Sequence, residues 1–432
     1  MNLSGSHTAS RKAFLTPEDT RVVAALDVGS SKVACFIGRI EGDGSIHLLG
    51  MGHRISQGVK NGAVVDLDLA EASIRAAVEQ AERMTGETVD QVLVSLSAGQ
   101  PQSQIIEMDV SVGGHEVGKS DISRVLREAG ERIDVGAREI VHAYPACFAI
   151  DGAMGVKEPI GMFGNRLSVA MHVLSSLPGP MRNLETVVDR AHLAITRMVL
   201  SPYASGFATL VDDEITLGTA CIDMGGGSTG VSVWVQGAMV YSDVIPIGGD
   251  HITEAIAREL LTPIEHAERL KTLYGSAMSS HSDESDMVDV PPLGGADADQ
   301  GGDNRVPRSV LTSIIYPHVE TLMAEVNKRL EASGFDRVSG RRVVLTGGAS
   351  QLQGLEDVTA KLLGKQVRLG RPRGIEAMPA AGTGPAFATC SGLLKYAAIA
   401  PQELGEARLD NANAPIDGGV FQRASDWFRR NF

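Results

Sequence analysis

Two short segments carry the residue types best suited to hold a phosphorylated ligand. In Asp27-Val-Gly-Ser-Ser-Lys32 and Asp223-Met-Gly-Gly-Gly-Ser-Thr229, a carboxylate is followed two residues later by glycine and then by hydroxyls. Glycine lets backbone N–H groups approach an anion closely, and serine or threonine hydroxyls add donors. A carboxylate just ahead of such a turn can hold Mg²⁺ near the phosphates through water. Lys32 adds a point charge for the terminal phosphates. Thus Asp27, Gly29, Ser30, Ser31 and Lys32 form one half of a candidate site, with Asp27 and Asp223 as its metal carboxylates. Asp223, Gly225, Gly226, Gly227, Ser228 and Thr229 form the other half. A third turn, Leu345-Thr-Gly-Gly-Ala-Ser350, brings Gly347 and Gly348 without the acid. One such turn is as readily a plain strand connection; two acid-tipped turns and a third glycine pair in one chain are not. GxxxxGK[ST] is absent, which excludes a P-loop, and the lack of GxGxxG after the first strand argues against a dinucleotide-binding fingerprint.

The elements that must position these turns read as strands. Val22–Asp27 and Val33–Ile37 flank the first turn, and Cys221–Met224 and Val231–Val235 flank the second. The shared plan of apolar strand, terminal Asp, small-residue turn and second strand predicts two related halves. Apolar spacing predicts helices over Leu69–Met84, Leu184–Ala194 and roughly Ser309–Ser333, with further strands at Gln91–Ser97 and Val343–Leu345. Between about 98 and 175 the pattern changes. Short strands (Ser103–Val112, Ala146–Ile150, Leu167–Leu174) surround one helix near Lys119–Ala129, an inserted α+β module. Residues 276–303 hold seven acidic residues and no Lys, Arg or aromatic, which predicts a flexible surface loop.

Composition bounds the rest. At 432 residues and 43% apolar, the chain is long enough for two or three domains with substantial cores. A net charge of −14 argues against a general nucleic-acid binder, which needs a basic surface to displace counterions. Cys35, Cys147, Cys221 and Cys390 stand singly in apolar runs and read as core residues of a reducing compartment. His142, His172 and His192 have no metal-ligand spacing. No run of 18 apolar residues and no signal-peptide h-region occurs, so a soluble intracellular chain is expected.

The ordered set of turns resembles the phosphate-1, phosphate-2 and adenosine motifs of the actin/hexokinase/DnaK ATPase superfamily. Within it the chain is most similar to the bacterial cell-division family FtsA. The likeness runs through Leu26–Val33, Val64-Val-Asp66, Cys221–Thr229, Val244-Ile-Pro-Ile-Gly-Gly249 and Val344–Leu352. This resemblance implies an α/β, actin-like (ribonuclease H-like) two-lobed fold that closes over ATP and Mg²⁺. It adds Gly249, and it adds Glu268 and Lys271 in Ala267-Glu-Arg-Leu-Lys271 as nucleoside contacts; by themselves those two read equally as an exposed helix face. The implied division is a tail at 1–20 and subdomain IA at 21–97, with 176–208 and 372–399. Subdomain IC follows at 98–175, IIA at 209–248 with 331–371, and IIB at 249–330 including a flexible loop at 276–308. A linker at 400–417 and a membrane-targeting helix at 418–432 complete it. One departure concerns hydrolysis: where bacterial actins often place a water-orienting Glu, this chain has Ser201-Pro-Tyr-Ala-Ser205, so turnover is expected to be slow or absent.

The C-terminal segment carries its own chemistry. Val420, Phe421, Ala424, Trp427, Phe428 and Phe432 fall on one helical stripe, and Arg423, Arg429 and Arg430 lie opposite. Apolar bulk facing arginines suits an in-plane helix on anionic lipid, or a helix docked on the protein's own core or in a partner groove; the resemblance implies the lipid. A tether of about 20 residues would reach roughly 25 Å as a random coil. The family's partners are its own copies in filaments, other divisome proteins, and the acidic tail of the tubulin-like FtsZ on IIB, for which Arg305 and Arg308 are candidate contacts. The implied function is an ATP-binding adaptor that anchors the FtsZ ring to the cytoplasmic face of the inner membrane at the septum. The alternatives are a small-molecule kinase of the superfamily and a PilM-like pilus-assembly homologue.

Overall fold

A computed structural model describes residues 20–293, 304–334 and 340–399. Two five-stranded sheets share one topology. In the first, the spatial order is Ala194–Leu200, Gln91–Leu96, Arg21–Val28, Lys32–Ile40 and Ile46–Ile55. The second mirrors it as Gln366–Leu369, Arg342–Thr346, Thr219–Met224, Thr229–Val235 and Ala238–Ile245. Each is an antiparallel three-strand meander extended by two parallel strands on the side of its first strand. The predicted repeat is therefore a repeat of topology. Each sheet anchors its own apolar cluster, with Leu26, Phe36, Ile37 and Ile74 in the first lobe and Ile222, Val231, Leu322 and Leu345 in the second.

The long helix of the first lobe, Leu67–Thr85, starts where Asp66 accepts from the Asp68 and Leu69 N–H groups and ends at Gly86 in the left-handed region. It buries Ile74, Ala77, Val78 and Ala81 on the sheet, the stripe its spacing predicts. The neighbouring helix is Pro178–Arg190, six residues earlier than the sequence reading. Pro178 and Pro180 suggest a breaker, but proline suits a first helical turn, whose N–H groups have no partners. Ala194 then opens a strand instead of closing the helix.

The inserted module is a four-stranded antiparallel sheet with helix Lys119–Glu131 packed on it around Val125, Leu126, Leu167 and Met171. Two helices link the lobes. Ser201–Thr209 leads from the first sheet to the second, and Ala388–Ile399 returns to pack on strand Arg21–Val28. Where module, linking helices and second lobe meet, Tyr144, Tyr203, Phe207, Trp234 and Tyr396 pack ring to ring at 4.7–6.3 Å between centroids. The Tyr144 hydroxyl donates to the Met239 carbonyl of the second lobe at 2.9 Å.

Residues 276–293 of the acidic segment depart from the expectation. Ala277, Val288 and Val290 are buried, and Met287–Asp289 pairs with Arg305–Pro307. Asp283 is buried with its carboxylate accepting from the Ser280 N–H at 2.7 Å. Counting charges misses that two alternating valines suffice to dock a short strand and that a backbone N–H and a nearby arginine can support a buried acid. Residues 294–303, the tail at 1–19, and the linker and helix at 400–432 lie outside the described residues.

Candidate functional site

Both acid-tipped turns close in the same way. The Gly29 N–H donates to the Lys32 carbonyl at 3.1 Å, and the Gly225 N–H donates to the Ser228 carbonyl at 2.9 Å. The turns face each other across the gap between the lobes. A Cβ at Gly226 would lie 1.7 Å from Ser31 Oγ, and one at Gly227 would lie 2.4 Å from Ser30 Oγ. Glycine is thus required at both positions by close approach.

Below the turns lies a cleft of about 610 Å³. Of the residues picked from the sequence, Asp27, Gly29–Lys32, Asp223, Gly225–Ser228, Gly249, Glu268, Lys271, Gly347 and Gly348 all line it. Thr229 does not. Its buried hydroxyl donates to the Ile247 carbonyl at 2.7 Å, so it holds the second lobe together instead of facing a ligand.

The two carboxylates are buried. Asp27 accepts from the Ser95 hydroxyl at 2.7 Å. Burial pushes its carboxyl above the ordinary range, with Lys32 and Ser95 opposing. Asp223 accepts from the Thr389 hydroxyl at 2.9 Å. Burial, with the nearby Asp27 charge adding to it, pushes Asp223 up to about 6 against the Thr389 and Ser205 hydroxyls. Two desolvated acids held near each other need a positive counter-charge. Among the described residues no group of three or more His, Cys, Asp or Glu is arranged to hold a metal. Two carboxylates fit a hard cation that keeps water and phosphate oxygens in the rest of its shell, which is the habit of Mg²⁺.

Lys32 Nζ donates to the Ala386 carbonyl and sits 4.8 Å from the centre of the Phe387 ring. Beside the second turn, Lys271 pairs with Glu268 at 2.6 Å and donates to Thr253 Oγ1 at 2.7 Å and the Gly249 carbonyl at 3.0 Å. Burial raises the Glu268 carboxyl, but Lys271 and the Thr253 hydroxyl outweigh it, and the net direction is down. Lys271 is therefore built into the wall, while Glu268 stays half exposed beside it.

Sequence reasoning left out several lining or supporting groups. Ser95, Thr389 and Asp250 come from distant elements, and no local pattern announces them. Ser201 opens the linking helix, lines the cleft and shares a short hydrogen bond with Ser97, so two hydroxyls stand where a carboxylate base was sought. Arg308 is committed inside its lobe: it donates to the Tyr274 carbonyl at 2.8 Å and to Gln353, and lies 3.8 Å from Asp283. Those contacts hold Arg308 to its own lobe. Arg305 is half exposed and pairs with Asp289 at 2.6 Å. Val420, Phe421, Arg423, Ala424, Trp427, Phe428, Arg429, Arg430 and Phe432 lie outside the described residues.

Comparison with known proteins completes the picture. Two family models match, one described as cell division protein FtsA over residues 220–392 and one as the SHS2 domain inserted in FtsA over 98–175. The cell division protein FtsA of Rhizobium meliloti is 42% identical over 428 residues, covering 97% of this chain and 96% of that protein. The chain belongs to the FtsA family. It is thus an actin-like cell-division protein. FtsA of Escherichia coli is 29% identical over 425 residues, with 96% and 99% covered. The FtsA fold extends to more distant solved structures. A PilM–PilN type IV pilus biogenesis complex matches with TM-score 0.61 at 17% identity, covering 88% of this chain and 99% of that one. MreB5 of Spiroplasma citri bound to ADP matches with TM-score 0.50 at 12% identity, covering 87% and 96%.

Proposed function

We propose that this FtsA-family protein binds ATP with Mg²⁺ between its two acid-tipped turns. In this reading it polymerises as a peripheral protein on the cytoplasmic face of the inner membrane and anchors the FtsZ ring at the septum. One observation carries the nucleotide reading: three turns chosen for phosphate chemistry converge on one cleft between two sheets of matching topology. Asp27 and Asp223 would hold the cation through water. Backbone N–H groups of the two turns, with Ser30, Ser31, Ser228 and Lys32, would bind phosphate oxygens, and Glu268, Lys271, Gly347 and Gly348 would border the nucleoside. Bound Mg²⁺ would supply the positive charge that the buried acids lack. Ser201 and Ser97 cannot remove a proton from water as a carboxylate can, so hydrolysis is slow and nucleotide serves as a structural ligand. Phosphate release at several turnovers per minute would overturn that point.

No described helix is long and apolar enough to cross a bilayer. Attachment rests on the amphipathic stripe at 418–432, and avidity along a filament makes it firm. Arg305 and Arg308 remain the candidate contacts for the acidic FtsZ tail. The deciding measurement is co-sedimentation with anionic liposomes and ATP–Mg²⁺, comparing the full chain with one ending at Asp417. Only the full chain pellets if residues 418–432 are the anchor; equal behaviour of the two chains refutes it.

A further inference from the structure

Asp250 belongs to none of the three turns, yet it joins two of them. It lies in the first turn of helix Gly249–Glu259. Its N–H donates to the Gly226 carbonyl at 2.8 Å, and the Gly249 N–H donates to the Gly225 carbonyl at 3.0 Å. Asp250 therefore moves with the second turn. Its carboxylate accepts from the Ser31 hydroxyl of the first turn at 3.0 Å. One helical turn further on, Glu254 pairs with Lys60 at 3.7 Å. Lys60 sits in the hairpin of Val59–Lys60 and Ala63–Val64, which is tied to the first turn where the Gly62 N–H donates to Ser30 Oγ at 2.9 Å. Two contacts thus run from one helix of the second lobe to the phosphate edge of the first.

The contact to Ser31 has a chemical consequence. A serine hydroxyl has one proton to donate, and an ionised carboxylate only accepts. A phosphate that reaches Ser31 must take this proton from Asp250 and lie against a second anion, whose charge Lys271 offsets only in part. In the nucleotide reading Lys32 takes the terminal phosphates, and Ser31 precedes it in the same turn, so the last phosphate of a chain is the one that meets Ser31.

We propose that Asp250 is the residue that sets the discrimination between nucleoside triphosphate and diphosphate, by competing with the terminal phosphate for the Ser31 hydroxyl. The Ser31–Asp250 bond closes the rim over a diphosphate, and a triphosphate has to open it. Asp250 is thereby a specificity-determining residue of the cleft. The inference rests on the nucleotide reading above and adds to it which phosphate is read and by what.

The test is the dissociation constant of ATP and of ADP, without and with Mg²⁺, for the full chain and for Asp250→Asn, which keeps size and an acceptor but removes the charge. Without Mg²⁺ the variant binds ATP about tenfold more tightly, while ADP changes less than about twofold. Mg²⁺ shields the two anions from each other and shrinks the gain. If ATP and ADP shift by the same factor, or neither shifts, the inference is wrong while the nucleotide reading stands. If the unaltered chain binds neither nucleotide, both fall together. Asp250→Ser, a residue at home in a first helical turn, carries the same expectation should the asparagine variant not fold.

Discussion

The two acid-tipped turns have the same backbone closure and the same place in matching sheets, but they satisfy their carboxylates differently. Asp27 is held by Ser95, from the neighbouring strand of its own sheet, and Lys32 five residues on offsets its charge. Asp223 is held by Thr389 and Ser205, which lie on the helices that link the lobes. The acid of the first turn is satisfied within its own lobe, whereas that of the second depends on how the linking helices sit. A duplicated grammar therefore yields one acid held inside its lobe and one that reports on the arrangement of the lobes.

The largest effect is expected where the turns meet. Gly227→Ala puts a Cβ 2.4 Å from Ser30 Oγ and 2.8 Å from the Asn61 backbone nitrogen. Overpacking of this kind costs about 1–3 kcal/mol, so ATP affinity should fall by up to about a hundredfold in calorimetric titration. Unchanged affinity would break the claim that the turns close on each other.

The second test sharpens the contrast between the acids. Asp223 titrates near 6 when folded, against 3.8 ordinarily, so the fold favours its neutral form. Its contribution to stability is then full below about pH 4 and lost as pH rises through 6. The metal-free protein should melt higher at pH 5 than at pH 7. Asp223→Asn should flatten that slope and stabilise the metal-free protein at pH 7 by on the order of 1–3 kcal/mol, at the expense of Mg²⁺-dependent binding. Asp27→Asn should stabilise less, because no neighbouring acid adds to its burial as Asp27 adds to that of Asp223. Equal gains would erase the distinction.

A third pair separates lobe from link. Thr389→Val and Ser95→Ala each remove a hydrogen bond to a carboxylate, an interaction worth about 1.5–3 kcal/mol. Only Thr389→Val should also raise hydrogen exchange along helix Ala388–Ile399. The smallest effects are expected at the second lobe's arginines. Arg308→Ala should destabilise by about 1 kcal/mol through its lost tie to Tyr274. Arg305→Ala should stay within about 0.5 kcal/mol in denaturant unfolding, while weakening binding of a synthetic peptide that carries the acidic FtsZ tail.

What the sequence made legible follows from locality. An apolar run, an Asp, a glycine two residues later and a second apolar run lie within sixteen residues, so the turns and their strands can be read directly. Thr389 is 166 residues from Asp223, and Ser95 is 68 from Asp27; only the folded sheet order brings them together. Thr229 fits the motif by type, yet its hydroxyl turns to Ile247 because its place in the strand points it into the lobe. The acidic segment reads as a loop because average composition hides Val288 and Val290. The start of helix Pro178–Arg190 escapes the periodicity because proline breaks a helix interior but suits its first turn.

The aromatic junction gives the protein an optical reporter of its own. Trp234 is buried against Tyr203 and Phe207 of the helix that links the lobes, with its indole N–H donating to Ser232 at 3.0 Å. The chain has two tryptophans, and the other is Trp427. A chain that stops at Asp417 would therefore emit from a single indole at the hinge. Its fluorescence would follow any nucleotide-driven change in the link without a label, and in the full chain the added signal of Trp427 would follow contact with lipid.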